Sequence, residues 1–360
     1  MKLVLFMLCS GFVHFTSAAN RLRQFSLHGE VIESSLSKCK EDDASFVTLY
    51  DEGDATFLNR YLADKVKHES VWLGLKRSRE IVTTWSNGDS CTFLLSNVTG
   101  KLGEQICGAI TNNELKGSKC NNRYAFMCYK GNKYHLIEHE SKNWCQAQQY
   151  CRRHFSDLVS ICDDEQNQQV LEKGKNKTFW IGLMHDEWEW MDKSCSTYRT
   201  WKNIDMISSG RCTAKIFSSS SLYAMSCSNS AKTLCYKGKV RIVVIMMNYT
   251  WEQAVDYCDA NHSGLLRIED DEDQNAVAER LKYTTVNGPF WIGLRQSRVF
   301  GFWIWSDRAV TYSNWENNQQ PEMPPSENCG VINKTNYRWR DENCSHEHPF
   351  LCEEEISFMN

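Results

Sequence analysis

Trp291-Ile-Gly-Leu294 is the third occurrence of one tetrapeptide in this chain, after Trp72-Leu-Gly-Leu75 and Trp180-Ile-Gly-Leu183. Four apolar or glycine residues bounded by polar ones predict a strand buried on both faces. A helix is expected upstream of the third copy, where Thr250 can cap Trp251-Glu-Gln-Ala-Val-Asp-Tyr-Cys258. The acidic run Glu269 to Asp273 follows the Leu265–Ile268 strand. It reads as the N-terminus of a second helix, where carboxylates oppose the helix dipole, rather than as a metal cluster.

A cysteine tetrad surrounds each copy: Cys39, Cys107, Cys120, Cys128, then Cys151, Cys212, Cys227, Cys235, then Cys258, Cys329, Cys344, Cys352. The last spacing is eight residues each time, and the tetrads recur after 112 and 107 residues. Periods this long mark whole domains rather than solenoid turns. The joints Tyr129-Lys-Gly-Asn-Lys133 and Tyr236-Lys-Gly-Lys239 place domains at 20–130, 131–237 and 238–360.

Seventeen cysteines disfavour a reducing compartment. Lys and Arg number 41 against 45 Asp and Glu, a net charge of −4 that excludes a basic nucleic-acid-binding surface. Met1-Lys2, the apolar Leu3 to Phe15 and the small residues Thr16-Ser17-Ala18-Ala19 read as a signal peptide over 1–19. No later stretch is long enough to span a bilayer, and Ile242 to Met247 reads as a buried strand. The expectation is a secreted, extracellular chain without a membrane anchor.

Together the tetrads, the Trp-Ile-Gly-Leu strands, Trp251 to Cys258 and the closing Pro349-Phe-Leu-Cys352 resemble the C-type lectin-like domain, repeated three times. Tandem arrays of this kind are similar to the macrophage mannose receptor and secretory phospholipase A2 receptor group. The resemblance implies an α+β fold, each repeat having two helices, antiparallel sheets and a long disulfide-stapled loop. It implies outer bridges Cys39–Cys128, Cys151–Cys235 and Cys258–Cys352, and inner bridges Cys107–Cys120, Cys212–Cys227 and Cys329–Cys344. A bridge closing about ninety residues contributes ~4 kcal/mol in the chain-entropy model, which lets an irregular loop persist.

Sugar-binding members hold Ca²⁺ with oxygens from a Glu-Pro-Asn or Gln-Pro-Asp triplet, a nearby Glu and an Asn-Asp pair after a Trp. Calcium suits this task because it accepts six to eight oxygens in flexible geometry. The first two repeats have no counterpart, since no proline precedes Pro289 and neither has a Trp-Asn-Asp. In the third, Gln320, Pro321 and Glu322 align with the triplet in the galactose-type order, Glu327 with the nearby acid, and Trp339-Arg340-Asp341 with the Trp-Asn-Asp. Two departures matter: Glu322 is one methylene longer than Asp, and Arg340 replaces an amide ligand with a cation that cannot accept. Two readings stay open. Arg340 replaces the metal's charge and the loop is calcium-independent, or Arg340 swings outward and Ca²⁺ sits in domain 3 only, on Gln320, Glu322, Glu327 and Asp341. Trp303, Trp305, Trp315 and Trp339 are expected in the core rather than as a sugar-stacking platform.

Other signals are weaker. His135-Leu-Ile-Glu-His139 fits a zinc-protease pattern, but the repeat places it on a strand, where its helical geometry is lost. His346 and His348 read as surface loop residues. Cys145 and Cys162 are expected to pair, because the helix and returning strand between them span ~12 and ~13 Å. Cys91 and Cys195 occupy nearly equivalent loop positions, and they pair with each other, join two chains or stay free. Sequons mark Asn97, Asn176, Asn248, Asn261 and Asn333, with a less favourable one at Asn343. The expected function is non-enzymatic recognition of a glycan or glycoprotein ligand through domain 3, with no nucleic-acid partner. The alternative is an array that recognises a protein partner without calcium. The third repeat carries 11 basic and 19 acidic residues and all five prolines, which makes it the place to look first.

Overall fold

The computed structural model describes residues 21–28, 39–66, 70–202, 210–216, 221–297, 299, 301–306, 308–321 and 328–359. The signal-peptide reading over 1–19 lies outside them. The first repeat supplies β1 (Gln24–His28), β2 (Ser45–Phe46), α1 (Glu52–Lys65), β3 (Ser70–Trp85), β4 (Ile106–Thr111), β5 (Glu114–Lys119) and β6 (Tyr124–Lys130). The second supplies β7 (Lys133–Lys142), α2 (Trp144–His154), β8 (Asp157–Leu158), α3 (Asp164–Gly174), β9 (Phe179–Trp190), β10 (Cys212–Ile216), β11 (Tyr223–Met225) and β12 (Lys232–Lys237). The third supplies β13 (Val240–Tyr249), α4 (Trp251–Asn261), α5 (Asp271–Lys282), β14 (Phe290–Gln296), β15 (Trp303–Trp305), β16 (Asn328–Ile332), β17 (Trp339–Asn343) and β18 (His348–Glu355).

Local chemistry repeats faithfully. Thr250 and Gln253 form a reciprocal capping box on α4, as Asn143 and Gln146 do on α2. Asp270 caps α5, whose first turn holds Asp271, Glu272 and Asp273, so the acidic run is a helix start. The Trp-Ile-Gly-Leu strand is anchored by indoles, Trp251 Nε1 donating to the Ile292 carbonyl at 2.9 Å and Trp291 Nε1 to that of Tyr249 at 2.8 Å. Trp144 and Trp180 do the same at 2.8 and 2.9 Å. The central residue favours glycine because a Cβ on Gly293 would lie 3.0 Å from the Leu265 carbonyl oxygen, so that the neighbouring backbone would have to shift.

The third repeat closes on itself. Its opening strand β13 pairs antiparallel with its closing strand β18, and the sheet runs β13-β18-β14-β16-β17. Bridges Cys258–Cys352 and Cys329–Cys344 staple it.

The first two repeats do not close on themselves. β1 pairs with β12, the closing strand of the second repeat, from Gln24↔Lys237 to His28↔Thr233. β6, which closes the first repeat, pairs instead with β7 of the second and lies parallel to β9. The halves are exchanged across β3 and β9, long strands paired antiparallel from Leu75↔Trp190 to Trp85↔Leu183. Each strand starts in one core and ends in the other. Trp85 packs with Val159, Ile181 and Leu183, while Trp188 and Trp190 pack with Leu58, Leu73 and Leu75. One unit therefore joins the opening of repeat one to the close of repeat two, and the other runs from β4 to β9 in permuted order.

The bridges follow the exchange and correct the expected pairs. Cys39 joins Cys235 rather than Cys128, and Cys128 joins Cys151 rather than leaving it to Cys235. The reason is strand register: Cys235 lies opposite Phe46 on β2, and Cys128 opposite Leu158 on β8. The expected Cys145–Cys162 bond is also absent. Cys145 joins Cys195, because the first turn of α2 docks on the segment after β9, and Cys162 joins Cys91 on the segment after β3. Inner bridges Cys107–Cys120 and Cys212–Cys227 stay within their repeats.

The third repeat docks through buried charge. Arg241 is only 4% exposed and meets Asp51, with Asp54 and Glu354 each 3.7 Å away. Arg21 reaches Asp273 and Glu353, both at 2.8 Å. The C-terminal segment continues into the exchanged pair, where the Cys195 N–H donates to the Ser357 carbonyl at 2.7 Å. Among the described residues no helix is long and apolar enough to cross a membrane.

Candidate ligand loop of the third repeat

The loop that crosses the open edge of the third sheet is held from below by tryptophans. Trp303, Trp305, Trp315 and Trp339 are all buried, and Trp315 and Trp339 meet edge to face at 5.9 Å. Their indoles belong to the core, so no sugar-stacking platform exists in these four. The Trp339 N–H donates to the Asn314 carbonyl at 3.0 Å, and its Nε1 donates to Gln274 Oε1 at 3.0 Å. Arg338 ties the loop to β17, donating to Asn314 Oδ1 at 2.6 Å and Asn318 Oδ1 at 3.2 Å. Asn336 donates to Glu316 Oε1 at 2.9 Å. Tyr312 donates its hydroxyl to Asp271 at 2.8 Å, and burial together with that carboxylate pushes its pKa up.

Of the expected ligand set, Gln320 is exposed beside Pro321, and Glu322 and Glu327 lie outside the described residues. Among the described residues the cis peptide bond is Gly288–Pro289, and the Gln320–Pro321 bond is trans. Asp341 sits on β17 opposite Gly330 and accepts from Asn328 Nδ2 at 2.7 Å. Arg340 is its neighbour in sequence but not in chemistry. Strand alternation places Arg340 and Glu342 on one face and Trp339 and Asp341 on the other. The Arg340 guanidinium donates to Glu342 Oε2 at 2.8 Å. Glu342, which the sequence reading missed, was legible as the i+2 residue on the same strand.

Glu342 also faces two imidazoles. His346 Nδ1 lies 2.8 Å from Glu342 Oε1, and His348 Nε2 lies 4.0 Å from Oε2. In sequence both read as surface loop residues; His346 is exposed in the turn, whereas His348 opens β18 and is half-buried. By contrast His135 and His139 lie on β7, roughly 13 Å apart at strand rise, so the zinc-protease geometry is not formed.

The remaining sites fall where loops and edges allow. Asn97, Asn176 and Asn248 are exposed, while Asn261 and Asn333 are half-buried, the latter accepting from the Thr335 N–H at 2.9 Å. A cleft of about 520 Å³ between the exchanged units is lined by residues such as Tyr50, Glu104, Lys119, Tyr198 and Trp201. Among the described residues, the first repeat has Lys119 before Cys120, exposed at the end of β5, where the third repeat has a carboxylate frame.

The family described as the lectin C-type domain matches residues 29–130, 140–237 and 247–354. This chain belongs to the C-type lectin domain family. It is 34% identical over 126 residues to C-type lectin BML-1 of Bungarus multicinctus, covering 33% of this chain and 76% of that one. It is 31% identical over 131 residues to human C-type mannose receptor 2, covering 35% of this chain and 9% of the receptor. It is 23% identical over 248 residues to the human secretory phospholipase A2 receptor, covering 59% and 17%. Among solved structures, the mouse scavenger receptor C-type lectin carbohydrate-recognition domain is similar at 27% identity and a TM-score of 0.30, covering 33% of this chain and 92% of that one. A tandem C-type lectin of this kind is a recognition protein rather than an enzyme.

Proposed function

We propose that this C-type lectin is a secreted protein that recognises a glycan or glycoprotein ligand through the loop of its third repeat, with Ca²⁺ completing the site. The observation that carries this reading is the direction of Arg340. Its guanidinium is engaged by Glu342 on one face of β17, whereas Asp341 faces the other way. The inverted charge at the fifth ligand position is thereby removed from the side where Ca²⁺ would be held. Gln320, Glu322, Glu327 and Asp341 would hold the ion, an all-oxygen set of the kind a hard cation takes. Bound calcium would supply open coordination positions for two sugar hydroxyls, and the Gln-Pro order favours a galactose-type ligand.

The second reading, a calcium-independent array that binds a protein partner, rests on the Asn328 amide already occupying a carboxylate oxygen of Asp341. A glycan array probed with and without EGTA, with an Arg340→Asn variant alongside, separates the two. The lectin reading expects sugar signal lost on chelation. Binding of a protein partner without any chelator-sensitive sugar signal from the wild-type chain sinks it.

A further inference from the structure

Glu342, His346 and His348 bring their ligand-capable atoms within 4.8 Å of one another, although they are separated in sequence by a turn. We propose that these three residues form a binding site for a zinc-class divalent transition metal, distinct from the calcium loop. Two imidazole nitrogens and one carboxylate oxygen make a donor set that suits zinc and is foreign to calcium, which takes oxygens.

The geometry is close to what such an ion needs. Ligands at 2.0–2.1 Å in tetrahedral array lie roughly 3.3 Å apart, against 2.8 Å from His346 Nδ1 to Glu342 Oε1 and 4.0 Å from His348 Nε2 to the same carboxylate's Oε2. With all three donors within 4.8 Å of one another, side-chain rotation that brings His348 Nε2 toward Oε1 would close the set around an ion. His348 Nε2 is buried and has no hydrogen-bond partner, so the nitrogen aimed at the cluster is left with unmet bonding capacity that an ion would satisfy. The outer shell is also present. Arg340 Nη2 holds Glu342 Oε2 at 2.8 Å, which orients the carboxylate and leaves Oε1 for the metal.

The scaffold is rigid for a surface site. Glu342 lies in the last two residues of β17 and His348 begins β18, where it pairs with Tyr249. The turn between them is pinned by Cys329–Cys344 and by the Trp251 N–H donating to the Cys344 carbonyl at 3.0 Å. The His348 ring stands edge-on to Trp291 at 4.9 Å. Three protein ligands leave a fourth position for water or for a donor atom of a bound partner.

The test uses the metal-free full chain titrated with zinc alone, and with cobalt(II) as a spectroscopic stand-in. One equivalent of zinc should bind, millimolar calcium should not displace it, and cobalt should give the visible band of a tetrahedral site. His346→Gln and His348→Gln should each weaken zinc binding at least about tenfold. Unchanged zinc affinity in the double His346→Gln/His348→Gln chain overturns the assignment. So does a wild-type chain that shows no tetrahedral cobalt band, a readout that does not depend on how the variants fold.

Discussion

Repeats one and two share with repeat three the Trp-Ile/Leu-Gly-Leu strand and its neighbouring strands, yet they close in opposite ways. In the third, opening strand β13 finds its own closing strand β18; in the first two, the same pairing is made between repeats. The cores are built alike, each Trp-Ile-Gly-Leu strand buried between a parallel closing strand and an antiparallel neighbour. Local sequence therefore specifies the interface but not which chain segment supplies it. The choice falls to the second halves of β3 and β9, which run on as long strands paired with each other rather than folding back.

The sharpest way to break this comparison is to cut the repeats apart. A 20–130 fragment lacks the β10 and β12 partners of β3 and should show no cooperative unfolding, whereas 20–237 and 238–360 should each show one. A folded 20–130 fragment with a mapped Cys39–Cys128 bond would erase the distinction between the repeats.

Next in size is the joint between the two kinds of closure. Arg241→Met removes the buried cation shared by Asp51, Asp54 and Glu354, leaving Arg23 and Arg280 near Asp54 and His262 near Glu354, and should cost about 3 kcal/mol in urea denaturation. A loss under about 1 kcal/mol would mean that the third repeat stands independently of the exchanged pair.

The smallest effect probes one register position shared by all three units. Ile332 lies opposite Phe290, Ile110 opposite Phe179, and Lys215 opposite Val71, so a buried lysine stands where the other cores carry isoleucine. Desolvation lowers the Lys215 pKa to about 8. The unfolded chain then holds that proton more tightly than the folded one, so stability rises with pH between about 8 and 10.5. Lys215→Ile should gain about 2 kcal/mol at pH 7, and the gain should shrink as pH approaches 10.5. Equal stabilisation at both pH values would show that packing, not charge, distinguishes this core.

The capped helices, the glycine-bearing strand and the buried tryptophans were legible because each depends on residues close in sequence, and the inner bridges followed from the family resemblance. The exchange was not, since swapped and closed forms make the same contacts. Its trace lay in Cys91, Cys145, Cys162 and Cys195. The lengths of the helix and strand between Cys145 and Cys162 suggested one bond, but those segments pack against elements of the other repeat, which no distance along the chain conveys. At the third-repeat loop, the ligand role of Gln320 and Asp341 belongs to the proposal, while the buried Trp315 and Trp339 could be expected from order alone. The meeting of Glu342, His346 and His348 could not, because it depends on how the turn between β17 and β18 folds.

Lys130 and Lys133, at the joint between the first two repeats, face each other as the last rung of the β6–β7 hairpin. What looked like a connector is thus the interior of a folded unit. A break in the chain at that boundary would sever a hairpin and strand two half-cores, so the pair of repeats, not each repeat alone, is the unit that must stay in one piece.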